Sequence, residues 1–342
     1  MHGIKVNLTL SFFFLVFSIA LTKLYCIVAQ DTLLMDKPNH RSMHSVPTVR
    51  GGGLIFIGLA LISLPILNNL TESSFEEQYI FLPCTFFLAA VSFLDDLYHL
   101  SVKIRFFTQS GIALLIAIFM RPAQLDLGIM IQSSFLIIPF IFFAVIWAIN
   151  HFNFMDGIDG FCAAQAIFLL SAYAVFFGIN DASFYQDFCF ILIFSLIGFL
   201  FFNFPPARLF MGDVGSATLG LITFCIALIA QQKFNVPILY WFMLNGLFLF
   251  DASVTLIRRV LHKENWSVPH RKHAYQRLRQ SGVKVSTILL GQLILNISFF
   301  IIVFCIQMHI AHFSLIVLQL GFMLFIYFLI EKKSPMYSSA SS

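Results

Sequence analysis

Runs of apolar residues, each long enough to cross a lipid bilayer, recur along almost the whole chain. A transmembrane helix needs roughly 20 such residues. Hydrophobic residues make up 59% of the sequence and charged residues only 11%, whereas a soluble domain carries about a quarter charged residues. The sequence therefore predicts an all-α polytopic membrane protein with about eleven transmembrane helices. The predicted spans are 6–28, 52–70, 79–94, 106–120, 134–150, 161–179, 187–203, 217–232, 236–257, 285–306 and 313–330.

The runs follow one another without a fixed-period repeat or a low-complexity segment. We therefore expect residues 1–342 to form a single integral membrane domain. The first run lacks the compact basic region and the small-residue cleavage site of a signal peptide, so we expect it to remain as the first span. The cysteines are scattered, mostly within apolar runs, and no Cys-x-x-Cys pair occurs. We interpret them as small buried hydrophobic residues.

The distribution of basic residues predicts the orientation of the chain. If the N-terminus lies outside, the inner loops hold nearly all the lysines and arginines, and the outer loops are acidic. Because cytoplasmic loops carry an excess of Lys and Arg, the sequence predicts an outside N-terminus and a cytoplasmic C-terminus. In that orientation the polar segments described next all face the cytoplasm, which predicts an active site built from cytoplasmic loops.

The strongest local signal is the segment 150–160, where Asn150, Asn153, Asp156 and Asp159 follow one another at three-residue steps. Amide and carboxylate oxygens are hard ligands that suit Mg²⁺ or Mn²⁺. Two glycines in the segment allow the backbone to leave the helix, so that these side chains can converge. The alternative is an ordinary polar turn between two spans.

Three further acids lie at the ends of apolar runs. Asp95 and Asp96 follow the predicted span 79–94, and two adjacent carboxylates repel each other unless a cation or a catalytic role accounts for them. A solvated helix end is the alternative, although a helix C-terminus disfavours acids. Asp213 stands between glycines just before the next predicted span, where it can present both a carboxylate and backbone amides.

The first inner loop contains Asn39, Arg41 and Arg50, and three glycines at 51–53 open the next helix. Glycines at such a place predict that the backbone closely approaches another group. Free amides at a helix N-terminus attract phosphates, so we expect this loop to bind a phosphorylated substrate. An ordinary positively charged loop with a helix cap is the alternative.

The last inner loop contains His270, Arg271 and His273, which can donate hydrogen bonds to anions. A zinc site is disfavoured because Arg271 and Lys272 lie between the histidines. A phosphate- or sugar-binding loop is the favoured interpretation, and a patch for lipid headgroups is the alternative. Asp251, within the predicted span 236–257, could pair with an arginine or act in the site.

These segments together resemble a known family. Asp-Asp from 95, Asn-x-x-Asn-x-x-Asp-Gly-x-Asp-Gly from 150, Met-Gly-Asp-Val-Gly-Ser from 211 and His-Arg-x-His-x-Tyr-Gln-Arg from 270 occur in that order. The order and spacing are similar to those of the polyprenyl-phosphate N-acetylhexosamine-1-phosphate transferases of glycosyltransferase family 4. The O-antigen-initiating branch is the most similar. The resemblance covers about residues 36–277.

The resemblance implies a reaction in which a UDP-sugar gives its sugar-1-phosphate to undecaprenyl phosphate and releases UMP. This would be the first step of O-antigen or other cell-surface polysaccharide synthesis. It also implies the bacterial inner membrane, Mg²⁺ (or Mn²⁺) as cofactor, membrane lipid but no nucleic acid as partner, and a possible homodimer. The implied metal ligands are Asn153 and Asp213, the implied catalytic residues are Asp95, Asp96, Asp156 and Asp159, and the predicted substrate-binding residues are Asn39, Arg41, Arg50, Asn150, His270, Arg271 and His273.

One departure from the family bears on the donor sugar. The peptidoglycan branch has three successive histidines in the last loop, whereas this chain has His270-Arg271-Lys272-His273. The difference argues against a MurNAc-pentapeptide donor and leaves GlcNAc, GalNAc or a 6-deoxy-aminosugar open.

Two other classes of protein compete with this interpretation. A transporter or lipid flippase would place ionisable groups near the bilayer midplane, where Asp251 is the single candidate. A CDP-alcohol phosphotransferase would need further aspartates on the helix after Gly160, but the next acid is Asp181.

Overall fold

The computed structural model describes residues 2–30, 32–38, 46–71, 76–265, 268–312 and 314–337, without side chains for 2–7. Helices make up most of this part of the chain, and its only strands form two short antiparallel hairpins, so the all-α prediction is confirmed. The elements are α1 (His2–Val28), β1 (Met35–Asp36), β2 (Thr48–Val49), α2 (Gly53–Thr71), α3 (Gln78–Tyr98), α4 (Val102–Phe119), β3 (Leu125–Asp126), β4 (Met130–Ile131), α5 (Ser134–Met155), α6 (Phe161–Ile179), α7 (Ser183–Asn203), α8 (Asp213–Phe234), α9 (Leu239–Leu244), α10 (Gly246–Leu261), α11 (Ala274–Gln280), α12 (Val285–Gln307) and α13 (Leu315–Lys333).

Ten helices in the described ranges are long and apolar enough to cross a membrane. They are α1 to α8, α12 and α13, and each matches one predicted span. The remaining predicted span, 236–257, is instead the pair α9 and α10, which meet at Asn245. Neither helix of that pair is long enough to cross alone.

The broken pair nevertheless runs from one end of the bundle to the other. Next to α9, the Ile238 amide donates to Oε1 of Gln231 (2.9 Å), near the C-terminal end of α8. Within α10, Asp251 accepts from the Ala274 amide (2.8 Å), and the Tyr275 hydroxyl of α11 reaches the Phe154 carbonyl (3.1 Å) beside the N-terminal end of α8. The eleventh crossing is therefore retained as two helices.

Polar side chains from neighbouring helices bind the backbone groups freed at this break. Nε2 of Gln319 donates to the Met243 carbonyl (2.6 Å), and Nε2 of Gln165 donates to the Leu244 carbonyl (3.3 Å). Within a bilayer, broken helices persist only where such groups find partners inside the protein. The break is therefore supported by side chains that are distant in the sequence.

Helix α8 is the centre of the bundle, and every residue from Val214 to Gln231 is buried. It packs against α2, α3, α5 and α6. Close packing depends on small residues: a Cβ on Gly220 would lie 2.1 Å from the Ala148 carbonyl oxygen of α5. Because α8 begins at Asp213, this packing places that carboxylate in the middle of one end of the bundle.

The three glycines of the first inner loop make the close approach that the sequence predicts. A Cβ on Gly53 would lie 2.2 Å from Cα of Gly215, so α2 and α8 touch through backbone alone. The prediction that the amides are free for a phosphate is wrong for two of them. The Gly52 amide donates to the Phe210 carbonyl (3.0 Å) and the Gly53 amide to the Met211 carbonyl (2.8 Å).

Candidate active site

Asp96 joins the end of α3 to the beginning of α8. It lies inside the last turns of α3, not beyond the helix, and is buried. Its Oδ1 accepts from the Asp213 amide (3.1 Å) and its Oδ2 from the Val214 amide (3.1 Å). The first amides of a helix have no partner within it and carry partial positive charge. Asp96 therefore supplies a carboxylate cap to α8.

The neighbouring carboxylate, Asp95, has a different partner. Nη1 of Arg105, in the first turn of α4, lies 2.9 Å from Oδ2 of Asp95 and 3.6 Å from Oδ2 of Asp213. The guanidinium thus bridges two acids of different helices. Sequence reasoning placed Arg105 among the inner-loop basic residues but did not identify it as a site residue.

Asn153 and Asp213 come together from α5 and α8. Asn153 lies in the last turn of α5, beside the Asp213 carboxylate. Its Nδ2 donates to the Ser216 hydroxyl (3.4 Å), one turn further into α8. The side-chain amide of Asn153 and the carboxylate of Asp213 are therefore side by side, as the sequence predicts.

Asp156 and Asp159 follow α5 in the segment that leads to α6. Oδ2 of Asp159 accepts from the Ala207 amide (2.9 Å), which ties this segment to the loop before α8. Burial, together with the carboxylates of Asp213, Asp96 and Asp159, raises the pKa of Asp156 to about 8. The acids of the separate motifs are therefore close enough to repel one another.

The last loop is fixed to α10 by Asp251. Its carboxylate accepts from the Ala274 and Tyr275 amides at the start of α11 (2.8 and 3.2 Å). Nδ1 of His273 lies 3.6 Å from Oδ1 of Asp251. The suggestion that Asp251 pairs with an arginine is wrong, because its partners are the N-terminus of α11, His273 and the Thr255 hydroxyl.

His270 lies in the same loop as a neutral donor or acceptor. Burial, His273 and Arg259 lower the pKa of His270 to about 3, so the imidazole is uncharged at neutral pH.

Two cavities meet at Asp213, His270 and Gln276, which line both. The first, of about 430 Å³, lies among α3, α4, α5 and α10 and is mostly apolar. The second, of about 700 Å³, is mainly polar and charged. Besides the three shared residues, the first is lined by Asp95, Arg105, Asn150, Asn153, His273 and apolar residues such as Val91, Phe106, Trp147 and Leu256. The second is lined by residues including Arg50, Asp96, Asp156, Asp159, Arg271 and Arg279.

Most of the predicted site residues thus surround two connected cavities. Asn150 lies away from the polar cavity, and its Nδ2 donates to Oε1 of Gln109 (2.7 Å). Arg50 lines the polar cavity, and its guanidinium donates to the backbone carbonyl of Asp96. Asn39 and Arg41 lie outside the described residues.

Sequence reasoning missed Gln276 and Arg279 in addition to Arg105. Gln276 belongs to the His-Arg-x-His-x-Tyr-Gln-Arg motif, so the motif itself was the available signal.

The donors at Asn153 and Asp213 fit a magnesium ion. Within the described ranges, no three His, Cys, Asp or Glu side chains form a ready-made metal cage. Magnesium does not need one, because it usually takes one or two protein ligands and completes its shell with water and substrate phosphates. The surplus of neighbouring carboxylates also favours a cation at this position.

Comparison with known proteins identifies the family. The Glycosyl transferase family 4 profile matches residues 79–231, which include both aspartates of α3, Asn153 and Asp213. The probable undecaprenyl-phosphate N-acetylglucosaminyl 1-phosphate transferase of Bacillus subtilis (strain 168) is 30% identical over 270 residues, or 73% of this chain and 70% of the relative. The chain belongs to glycosyltransferase family 4.

Two further relatives are similar to this chain. The undecaprenyl-phosphate alpha-N-acetylglucosaminyl 1-phosphate transferase of Escherichia coli (strain K12) is 26% identical over 270 residues, or 75% of this chain and 71% of the relative. The phospho-N-acetylmuramoyl-pentapeptide-transferase of Staphylococcus saprophyticus is 30% identical over 216 residues, or 58% of this chain and 66% of the relative. The predicted family and the multi-pass membrane character are confirmed, and the chain is a membrane transferase.

Proposed function

We propose that this protein transfers a sugar-1-phosphate from a UDP-sugar to undecaprenyl phosphate, releasing UMP and forming undecaprenyl-diphosphate-sugar. One observation carries the proposal: an apolar cavity and a polar cavity meet at Asp213. The apolar cavity suits the polyprenyl chain and the polar cavity suits a nucleotide sugar. Their junction is where the phosphates of the two substrates would have to meet. The names of the bacterial relatives support undecaprenyl phosphate as the acceptor and a sugar 1-phosphate as the transferred group.

The acids and arginines at the junction support phosphate chemistry. Asp213 and Asn153 would hold Mg²⁺, which would neutralise charge on the phosphates. Arg105, between the apolar cavity and Asp213, would orient the lipid phosphate with its planar guanidinium. Arg271 and the neutral His270 line the polar cavity and would donate hydrogen bonds to the diphosphate of the sugar nucleotide.

The reaction is a single displacement. An oxygen of the lipid phosphate forms a bond to the phosphorus that bears the sugar, and the bond from that phosphorus to the UMP oxygen breaks. The second pKa of a phosphate monoester is about 6, so the attacking group is mostly dianionic at neutral pH and needs no strong base. Positioning and charge neutralisation are then sufficient, which favours direct attack over an aspartyl-phosphate intermediate.

The donor is an N-acetylhexosamine or a deoxy-aminosugar analogue, and the product begins O-antigen or another cell-surface polysaccharide at the bacterial inner membrane. The N-acetylglucosaminyl transferases among the relatives support the first alternative. The sequence His270-Arg271-Lys272-His273, in place of three successive histidines, supports a donor other than MurNAc-pentapeptide.

The test is a transferase assay with purified protein, undecaprenyl phosphate, Mg²⁺ and a panel of UDP-sugars, in which released UMP and lipid-linked sugar are measured. We expect both products with at least one UDP-sugar, and neither after chelation of the metal. Asp187→Asn is a matched control for Asp→Asn variants of the site, because Asp187 is a buried aspartate of α7 that lines neither cavity. If no UDP-sugar yields UMP, the proposal is wrong.

A further inference from the structure

The segment from Glu331 to Tyr337, at the C-terminal end of α13, packs against α11 and against the loop that follows α10. This segment lies beyond the family match, which ends at residue 231, and beyond every motif that the sequence analysis used. Its contacts nevertheless converge on the loop that carries His270 and Arg271.

Glu331 binds arginines from two different elements. Its Oε1 accepts from Nη2 of Arg258 (2.9 Å), and its Oε2 accepts from Nη1 of Arg258 (2.7 Å), which is a bidentate pair. Oε2 also accepts from Nη1 of Arg277 (2.7 Å), and Oε1 accepts from the Met336 amide (3.0 Å). Bidentate arginine–carboxylate pairs fix geometry as well as charge. One carboxylate therefore links α10, α11 and the C-terminal segment.

The remainder of the segment contacts the loop at both of its ends. The Tyr337 ring stacks on the His262 imidazole, with centroids 3.8 Å apart and an interplanar angle of 12°. Nζ of Lys272 lies 4.5 Å from the centroid of the Tyr337 ring, within the range of a cation–π contact. Arg277 also donates to the Ser334 carbonyl. The loop 262–272 is thus held at its beginning and at its end.

These contacts act at a distance from the cavities. Glu331, Arg258, Arg277 and Tyr337 line neither cavity. By contrast, His270 lines both cavities and Arg271 lines the polar one. Both residues belong to the loop 262–272, which Tyr337 contacts at His262 and at Lys272. A change at Glu331 can therefore reach the substrates by moving this loop, α11 or α10, since Ala252 and Leu256 of α10 line the apolar cavity.

We propose that Glu331 is a positioning residue, and that Glu331–Tyr337 is a clasp that holds the last cytoplasmic loop and α11 in the shape that binds the nucleotide sugar. The kinetic part of this inference rests on the proposed function. The structural part, that the clasp holds the loop in shape, does not.

The test compares Glu331→Gln, Arg258→Gln and the double variant with the wild type in detergent. Lys333→Gln is the matched control, because Lys333 is an exposed charged residue of the same helical turn. Two quantities are measured: kcat/KM for the UDP-sugar, and the rate at which trypsin cleaves at the basic residues of the loop 262–272. The thermal unfolding midpoint of each variant reports overall stability.

We expect Glu331→Gln to lower kcat/KM by about tenfold, the loss that corresponds to a broken charged hydrogen bond, and to accelerate cleavage of the loop several-fold. If Glu331 and Arg258 act through each other, the double variant is no worse than the poorer single variant. Lys333→Gln leaves both quantities unchanged. If instead Glu331→Gln lowers only the unfolding midpoint, with kcat/KM and loop cleavage at wild-type values, the residue merely anchors α13 and the proposal is wrong.

The two proposals fail in different ways. Absence of turnover in the wild type would remove the proposed function, whereas the cleavage rate of the loop still decides whether the clasp holds it. Wild-type turnover together with an unchanged Glu331→Gln variant would remove the clasp alone.

Discussion

Carboxylates occur in two kinds of surroundings in this protein. Glu264 contacts Arg259 (3.0 Å) and Lys272, and Glu331 contacts Arg258 and Arg277, so each of these acids meets two cations. Around Asp213, by contrast, acids outnumber the cations that pair with them. There the carboxylates of Asp95, Asp96, Asp156, Asp159 and Asp213 gather about two cavities, and Arg105 bridges two of them.

The difference separates acids that only hold the fold from acids that we propose to act in the reaction. Burying a carboxylate without a cation costs free energy. The ion pairs of Glu264 and Glu331 offset that cost. Around Asp213 this free-energy cost remains, and it is reflected in the raised pKa of Asp156. Groups with strongly perturbed pKa values cluster at functional sites. A divalent cation would balance the negative charge of this cluster, and the arginines of the site would balance that of the bound phosphates.

The largest effect is expected from Asp213→Asn. The change removes the charge of a proposed metal ligand at the junction of the two cavities, so we expect turnover to fall by about a thousandfold or more. Release of UMP measures the loss, and a detergent unfolding curve shows that the variant is folded. Asp96→Asn should also lose turnover, because Asp96 binds the first amides of α8. Near-wild-type turnover in Asp213→Asn would exclude it as a metal ligand.

The second prediction concerns magnesium and stability in the absence of substrates. A ligand that binds only the folded protein stabilises it by about 2.7 kcal/mol at a hundred times its Kd. We expect Mg²⁺ to raise the thermal unfolding midpoint of the wild type and of Glu264→Gln, but not of Asp213→Asn. An equal rise in all three proteins would show that Mg²⁺ binds at a site that does not include Asp213.

The third prediction concerns Arg105, whose guanidinium contacts Asp95 and Asp213. Arg105→Gln should lower turnover about ten- to a hundredfold, since a charged hydrogen bond to a phosphate contributes about 1.5–3 kcal/mol. It should also increase the stabilisation by Mg²⁺, because a competing cation is removed from beside Asp213. Lys103→Gln, an exposed position in the same helical turn, is the control. If both variants lose turnover equally, general surface charge accounts for the effect.

The smallest effect is expected from Glu264→Gln. Glu264 is partly exposed and pairs with Lys272 and with Arg259, which is buried. Because Arg259 keeps two backbone carbonyls as acceptors when Glu264 is changed, we expect a loss of about 0.2–1 kcal/mol, which is that of an exposed ion pair. We expect turnover to fall no more than about fivefold. A loss as large as that of Asp213→Asn would contradict the division into structural and functional acids.

The sequence predicted the features that depend on local composition. Length and hydrophobicity located ten of the eleven spans, and the glycines at 51–53 predicted a close backbone contact, which Gly215 makes. The motifs correctly predicted that Asn153 and Asp213 lie together, although their roles remain predictions. All these signals are carried by short segments, so they can be recognised without the fold.

The features that the sequence did not predict depend on distant partners. The break at Asn245 lies in an apolar run, and one of the carbonyls that it frees is bound by Gln319, whose position only the fold reveals. Arg105 resembled any other inner-loop cation until α3 and α8 placed Asp95 and Asp213 beside it. Glu331 likewise depends on α10 and α11 for both of its arginines.

The cap that Asp96 gives to α8 has a consequence for how the protein is made. Asp96 enters the membrane with α3, but the amides that it binds belong to residues 117 and 118 positions later. During synthesis the four helices α4 to α7 therefore have to be made before the amide partners of this buried carboxylate emerge from the ribosome. An N-terminal fragment that ends before Asp213 would carry an acid without its amides, so the site cannot be assembled piece by piece from the first helices onward.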